Sequence, residues 1–321
     1  ILLSTSIVFL LTGLIWTYAL VGHLDFVAGG ILNGKIAVSV LPLLLGLYAF
    51  GIGKAALMPL HRWLPAAMVA PTPVSALLHA VAVVKAGVFT MLKIGIYIFG
   101  IDFLAESGAS QWLIWLAAIS IILASIFALM QNNLKKRLAY STVSQLSYIT
   151  LAMALATPMA AMGGGMHIAM HAFGKIALFM CAGAIYVVTK KTEVSELSGL
   201  GRKMPITFVI FAIASFSIIG LPPFGGSWSK FLLILGAFDT GYVSIIIVLM
   251  ISSLLNVAYL LPIVGRGFFA EPKDGSDLRS INEAPLLCWL PAAIAAGICL
   301  LLFFYAGLIQ DFLLPFTEGL K

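Results

Sequence analysis

Charge is what this sequence has least of: only 9% of its 321 residues are Asp, Glu, Lys or Arg, where a soluble domain carries about a quarter. With 62% of residues hydrophobic and a mean hydropathy of +1.11, one or two aqueous cores could not hide the apolar surface. A soluble enzyme, a nucleic-acid module and a disordered regulator are thereby excluded. Cysteine is scarce too: Cys181, Cys288 and Cys299 stand far apart in apolar runs, as small packing residues. They lack the spacing of an iron–sulfur site, and no glycine-rich dinucleotide turn follows a strand. The sequence therefore predicts no cofactor and no metal in this chain. A signal peptide's basic n-region and a starting methionine are both missing, so Ile1 is expected to be an interior position of a longer protein.

What is present is a series of apolar runs, near 3–21, 36–57, 75–99, 112–130, 139–156, 161–188, 205–238, 242–265 and 286–308. A helix needs about 20 apolar residues to cross the hydrocarbon. Alternating ten-residue strands are absent, which excludes a β-barrel, and helices alone satisfy their own backbone in lipid. Nine spans place alternate connections on opposite faces. One face collects Arg62, Lys135, Lys136, Arg137, Lys190, Lys191, Arg202, Lys203, Arg266, Lys273 and Arg279, whereas the other holds Lys35 and Lys321. That asymmetry predicts an integral membrane protein with its basic loops, and the Ile1 end, in the cytoplasm; a bacterial or archaeal cell membrane is the expected location. The net charge of +6 is then topology, and no nucleic-acid partner is expected. No linker divides the helices, which form one continuous bundle.

Two stretches are too long and too punctuated for simple spans. One runs from Ile36 to Ala70 and contains Pro42, Pro59 and Pro65; the other runs from Pro205 to Phe238 through Gly220, Leu221, Pro222, Pro223, Phe224, Gly225 and Gly226. Proline removes a helical donor and clashes with the preceding turn, so each stretch is expected to break. A lysine lies beside each break: Lys54 before Pro59, and Lys230 after Gly226. Paired broken helices carrying charge point to transporter repeats with a site near the midplane. The blander alternative is two kinked packing helices whose lysines snorkel to an interface.

Five lysines lie in apolar segments, Lys54, Lys85, Lys93, Lys175 and Lys230, together with His79, His167 and His171, and no Asp or Glu lies well inside a span. A charged lysine in the bilayer centre costs at least a few kcal/mol, so such groups face a bundle interior or water. Burial makes an ammonium readier to release its proton, and imidazole already titrates near neutrality. His167, His171 and Lys175 recur at intervals of four and share one helical face, a spacing suited to a proton relay. Polar cross-links between helices are the alternative. A zinc site is a weaker one, for want of a carboxylate or thiolate on that face. Lys93 is expected to snorkel, and His61 and Arg62 to anchor an interface with Trp63.

Together these residues resemble a family. Gly53-Lys54, Pro59 to Pro65 (PLHRWLP), Ala70 to Ala76 (APTPVSA), Leu78-His79-Ala80, Lys136 to Gln145, His171 to Phe179, and Gly220 to Pro223 leading to Lys230 are similar to the antiporter-like subunits shared by respiratory complex I, Mrp-type sodium/proton antiporters (their A and D components) and membrane-bound hydrogenases. The likeness covers essentially the whole chain. It implies an all-α polytopic membrane fold of about nine transmembrane helices, two of them broken, forming part of a fourteen-helix core with two inverted five-helix repeats. Residues 1–111 would hold the last three helices of the first repeat, 112–265 the complete second repeat, and 266–321 a cytoplasmic loop and the final helix. Lys54 and Lys230 would be the lysines of broken helices seven and twelve. His79 and Lys85 match helix-eight positions, of which members favour one or the other. His167, His171 and Lys175 match the central hydrophilic axis. The family pairs its helix-seven lysine with a glutamate on helix five, and no acidic residue here occupies such a place.

The expectation is a proton-translocating subunit of a larger energy-converting complex, without a catalytic redox site of its own. Protons would pass from Lys54 to Lys85 and His79, then along His171, His167 and Lys175 to Lys230. The helix breaks are expected at Pro59, Pro222, Pro223, Gly225 and Gly226. Expected partners are other membrane subunits, lipid, protons and, on the antiporter reading, sodium. The rivals are an Mrp-type sodium/proton antiporter subunit working without redox input, and a structural membrane scaffold with vestigial lysines.

Overall fold

A computed structural model describes residues 2–77, 82–272 and 280–318, with side chains from 4 to 316 within those ranges. Its helices in chain order are α1 (Leu2–Val21), α2 (Leu41–Gly51), α3 (Trp63–Ala66), α4 (Thr72–Ala76), α5 (Val83–Ile94), α6 (Ile101–Ser107), α7 (Gln111–Met130), α8 (Leu134–Ala154), α9 (Pro158–Thr189), α10 (Leu200–Lys203), α11 (Pro205–Ile219), α12 (Gly226–Asp239), α13 (Val243–Phe269), α14 (Leu286–Phe304) and α15 (Ala306–Glu318). Among the described residues there is no strand, only a single bridge between Asn133 and Glu193. By length and composition five helices could cross a membrane alone, and a sixth crossing arises if bent α5 and α6 count as one.

The helix absent from that set explains the architecture. Helix α8 is 21 residues long, yet Ser141, Thr142, Ser144, Gln145, Ser147 and Thr150 make it polar, and all six are buried. It packs against α5, α7 and α9 at the centre of the bundle. The lipid-ready side chains lie outside: Ile15, Leu43, Ile119, Met250, Leu254 and Leu301 are all exposed. This polarity is the reverse of an aqueous fold, with the apolar groups turned out to the solvent they prefer.

Caps begin the central helices where the sequence permits. Asn133 accepts from Lys136 N at 3.1 Å, and Thr157 accepts from Ala160 N at 3.1 Å ahead of Pro158. Helix α11 takes its cap from afar: the Glu283 carboxylate accepts from Ile206 N at 2.6 Å and from the Thr207 hydroxyl at 2.7 Å, placing negative charge at the helix's positive end.

The basic connections gather at one end of the bundle. Leu134 N donates to Thr192 O at 2.9 Å, Gly199 N to Arg266 O at 3.0 Å, and Asn282 N to Lys203 O at 2.9 Å. Lys135 Nζ reaches Ala70 O at 2.9 Å, while Lys273 and Arg279 lie outside the described residues. Arg137 fastens this end by donating to Leu129 O, Gln131 O and Tyr259 O. It thereby ties the last turn of α7 to α13.

Both expected interruptions are present, with adjustments. Pro42 does not break its helix; it sits in the first turn of α2, where its missing N–H has no role. The chain leaves the helix after Gly51 instead, through a 3₁₀ turn at Gly53–Ala55, so Lys54 is in the break rather than before it. Trp63 serves that break by donating Nε1 to Gly53 O at 3.0 Å. A third bend escaped the sequence: α5 ends in a π turn, Gly95–Phe99, and α6 departs at 77°. Gly100 permits it with φ +84°, where an added Cβ would lie well under 3.0 Å from Gly29 O. The last expected span, 286–308, is divided after Phe304, and α15 continues beneath α9.

Candidate functional site

Helix α9 supplies the axis of the site. His167, His171 and Lys175, four residues apart, all point into the bundle and are at most 2% exposed. Helix α5 brings Lys85 to the middle of this row, where its Nζ is hydrogen-bonded to His171 Nδ1. The His171 and His167 rings stack with centroids 5.7 Å apart. On the far side of His167 the Tyr148 ring of α8 stacks at 5.6 Å, and the Lys230 ammonium of α12 lies 5.3 Å from the centre of that ring. His167 Nδ1 is 2.8 Å from Ser229 Oγ. Lys85, His171, His167, Tyr148 and Lys230 thus form one buried row joining α5 to α12 through α9 and α8.

The second break positions Lys230. Helix α11 ends at Ile219 and Gly220 turns away with φ +90°, leaving carbonyls without intrahelical partners. Lys230, in the second turn of α12, reaches back to Ile219 O at 2.8 Å and to Ser253 Oγ at 3.2 Å. A cation is thereby held at the negative end of a helix. Its outer side borders a cavity of ≈ 710 Å³ between α11, α12 and α13, whose other walls include Trp228, Phe231, Leu249 and Ser253.

Bond directions follow from who can donate. The Lys85 ammonium has only protons to offer, so His171 accepts at Nδ1 and, when neutral, carries its proton on Nε2. Ser229 donates its hydroxyl to Gly226 O at 3.1 Å, so its oxygen accepts from His167 Nδ1–H and leaves Nε2 as the basic nitrogen. Neither Nε2 has a protein partner. The pair therefore presents a donor on His171 and an acceptor on His167, and every bond points from α5 toward α12.

Lys175 is off this row. It lies one turn beyond His171, on the side away from His167, where Nζ donates to Ser141 Oγ at 2.6 Å and Leu138 O at 3.2 Å. The expected order, in which Lys175 follows His167 on the way to Lys230, is corrected: it is His167 that adjoins α12. Lys54 is exposed on the flank of the bundle, with its backbone packed against Gly87 of α5. His79 lies outside the described residues. Lys93 sits with its ammonium 4.0 Å from the centre of the Phe26 ring, at the end of the bundle opposite the basic loops. Among the described residues no three His, Cys, Asp or Glu side chains converge as metal ligands.

Sequence reasoning about charges missed the uncharged members: Tyr148, Ser229, Ser253, Gln145, Ser141, Asn256 and Tyr259. One signal was available. Ser141, Gln145 and Tyr148 on α8, and Ser252, Asn256 and Tyr259 on α13, recur at helical spacing inside segments that are otherwise fit for lipid.

A family model described as NADH:quinone oxidoreductase/Mrp antiporter, transmembrane, matches residues 1–256. NADH-quinone oxidoreductase subunit N of Desulforudis audaxviator is 35% identical over 277 residues, covering 84% of this chain and 54% of that protein. The A/B component of a probable K(+)/H(+) antiporter of Rhizobium meliloti is 37% identical over 248 residues, covering 75% of this chain and 24% of that one. The chain thus spans about half of one relative and a quarter of the other. Among solved structures, a chain of the Mrp complex from Dietzia sp. superposes with a TM-score of 0.84 at 22% identity, over 99% of this chain and 66% of that one. A chain of an archaeal membrane-bound sulfane sulfur reductase gives 0.84 at 26% identity, over 99% and 64%.

Proposed function

The chain belongs to the NADH:quinone oxidoreductase/Mrp antiporter transmembrane family, and on that footing we propose that this integral membrane protein carries protons as one subunit of a multisubunit complex. The observation that supports the reading best is the buried row Lys85–His171–His167–Lys230 with its uniform bond direction. Its groups are ammonium, imidazole and hydroxyl. Apart from Asp239 at the end of α12, the four helices that carry the row contain no carboxylate. Such a set passes protons well and suits a hard cation poorly, since sodium-like ions prefer anionic oxygen. The proton is therefore the proposed cargo.

In the proposed cycle Lys85 gives a proton to His171 Nδ1, and the Nε2 proton of His171 leaves toward the basic Nε2 of His167. At a stacking distance of 5.7 Å this step needs one bridging water. His167 releases its Nδ1 proton to Ser229 Oγ as Ser229 gives up its own hydroxyl proton, and the amine of Lys230, once it has lost a proton to the cavity, is the last buried acceptor. Like charges crowded in a poorly screened interior repel, so a proton arriving at one end favours departure at the other. By the positive-inside rule the end carrying the basic loops is cytoplasmic, in a bacterial or archaeal cell membrane, and neighbouring membrane subunits complete the assembly. Any redox chemistry that drives the cycle takes place in those subunits.

Lys85→Met removes the first donor and keeps the side chain's length. Proton uptake by vesicles containing the full assembly is expected to fall to roughly a tenth or less, read with a pH-sensitive dye at equal amounts of assembled complex. Uptake at the native rate, with Lys85 replaced, would overturn the proposed route.

A further inference from the structure

Lys175 is fully buried, and the row from Lys85 to Lys230 does not use it. It heads a second line. The Lys175 ammonium donates to Ser141 Oγ at 2.6 Å, Ser141 Oγ lies 2.8 Å from Tyr259 Oη, and Tyr259 is hydrogen-bonded to Asn256 Oδ1. An amide oxygen can only accept, so Tyr259 donates to Asn256 and Ser141 donates to Tyr259. All four residues are fully buried.

The line leads along α13 toward Lys230. Three residues before Asn256, on adjacent turns of α13, Ser253 accepts from the Lys230 ammonium at 3.2 Å. Among the buried polar atoms without a protein partner are Asn256 Nδ2, both polar atoms of Gln145, and His171 Nε2. By register Gln145 falls between Ser141, which meets Lys175, and Tyr148, which meets Lys230. Orphaned donors and acceptors of this kind are what an internal water satisfies.

We propose that Ser141, Tyr259 and Asn256 form a second conducting limb, which joins Lys175 to Lys230 along α13 in parallel with the His171–His167 stack. A water at the level of Gln145 and Asn256 closes the gap. The inference rests on the relay reading and adds a branch to it. The step balances without any redox change. Lys175 gives a proton to Ser141 Oγ, the original hydroxyl proton of Ser141 passes to Tyr259, that of Tyr259 moves to the water beside Asn256, and the water passes one proton to the amine of Lys230, which has already released its own to the cavity. The hydroxyls then turn back before the next transfer. The two limbs part at the α9 face where His171 and Lys175 adjoin, and they meet again at Lys230.

Two limbs in parallel and one limb in series give different arithmetic. The test measures proton flux through the assembled complex in vesicles for Tyr259→Phe, for His167→Phe, and for both together. Phenylalanine keeps each ring's bulk and removes the polar atoms. Each single variant is expected to retain a substantial part of the native flux, and the double variant to fall on the order of tenfold below either. The Tyr259→Phe flux is also expected to show a displaced pH profile, which a packing role alone would not produce. Ser141→Ala cuts the same limb and serves where Tyr259→Phe assembles poorly. If His167→Phe abolishes flux alone, or adding Tyr259→Phe to it changes nothing, the second limb does not conduct. Lys230→Met in the same assay separates the layers: normal flux there would remove the relay reading itself, whereas loss of flux there, beside a double variant no slower than His167→Phe alone, removes only the branch.

Discussion

Lys230→Met is expected to stop proton flux through the assembled complex, by about a hundredfold or more, and to leave the protein nearly as stable as before. The second half of this expectation gives it force. In its buried setting Lys230 is bonded only to neutral oxygens, Ile219 O and Ser253 Oγ. Removing the side chain leaves the Ile219 carbonyl without that partner, at a cost of about 1–3 kcal/mol. It also relieves the cost of keeping an uncompensated charge out of water, a gain of similar size. The two nearly cancel, and net stability is expected to change by no more than about 1–2 kcal/mol. A scaffold with vestigial lysines implies the opposite pattern, in which transport is indifferent and only packing suffers. Flux and thermal unfolding measured on the same preparation distinguish the two: silent but stable supports the relay, active but unstable supports the scaffold.

Gly226→Ala is expected to damage the fold itself. Gly226 opens α12 against the end of α11 so closely that an added Cβ would lie far under 3.0 Å from the Ser217 carbonyl oxygen. Both sides of that contact are backbone, so no flexible side chain can give way. The halves of the broken helix must separate, which draws Lys230 from Ile219 O and Ser229 from His167. Overpacking typically costs about 1–3 kcal/mol, and a clash of backbone on backbone belongs at the upper end of that range. The variant is expected to unfold at a clearly lower temperature in detergent and to lose most of its flux. Native stability in Gly226→Ala would mean that α11 and α12 are not pressed together as described. The contrast with Lys230→Met is diagnostic, because one variant loses transport through chemistry and the other through geometry.

The sequence carried the outline of the bundle because lipid imposes one strong rule. Apolar runs of sufficient length marked α1, α7, α9, α13 and α14, and prolines with glycines marked both broken stretches. It also carried the face of α9, since His167, His171 and Lys175 repeat at an interval that only a helix aligns. What stayed hidden depended on other parts of the chain. The side of His171 on which Lys230 falls is decided by how α12 crosses α9, and no spacing within either segment reveals that His167, and not Lys175, adjoins α12. The bend after Phe99 depends on Gly100 lying against Gly29, a contact between distant parts of the chain with no local mark beyond the glycine. Pro42 misled for a simpler reason: proline begins helices as readily as it ends them. Tyr148, Asn256 and Tyr259 carry no charge, so the charge pattern does not mark them. Those groups are buried in a chain otherwise suited to lipid, Tyr148 against Lys230 and Tyr259 with Asn256 one hydroxyl away from Lys175.

The most direct measurement restores an ammonium at a single position. Lys230→Cys removes the group, and 2-bromoethylamine, entering by the adjoining cavity, rebuilds an amine of nearly lysine length on the new thiol. Mass spectrometry reports the extent of reaction, with the parent protein treated identically to account for Cys181, Cys288 and Cys299. The relay predicts that flux is absent before treatment and returns in proportion to the aminoethylated fraction. Native flux before treatment, or persistent silence after complete modification, would contradict it.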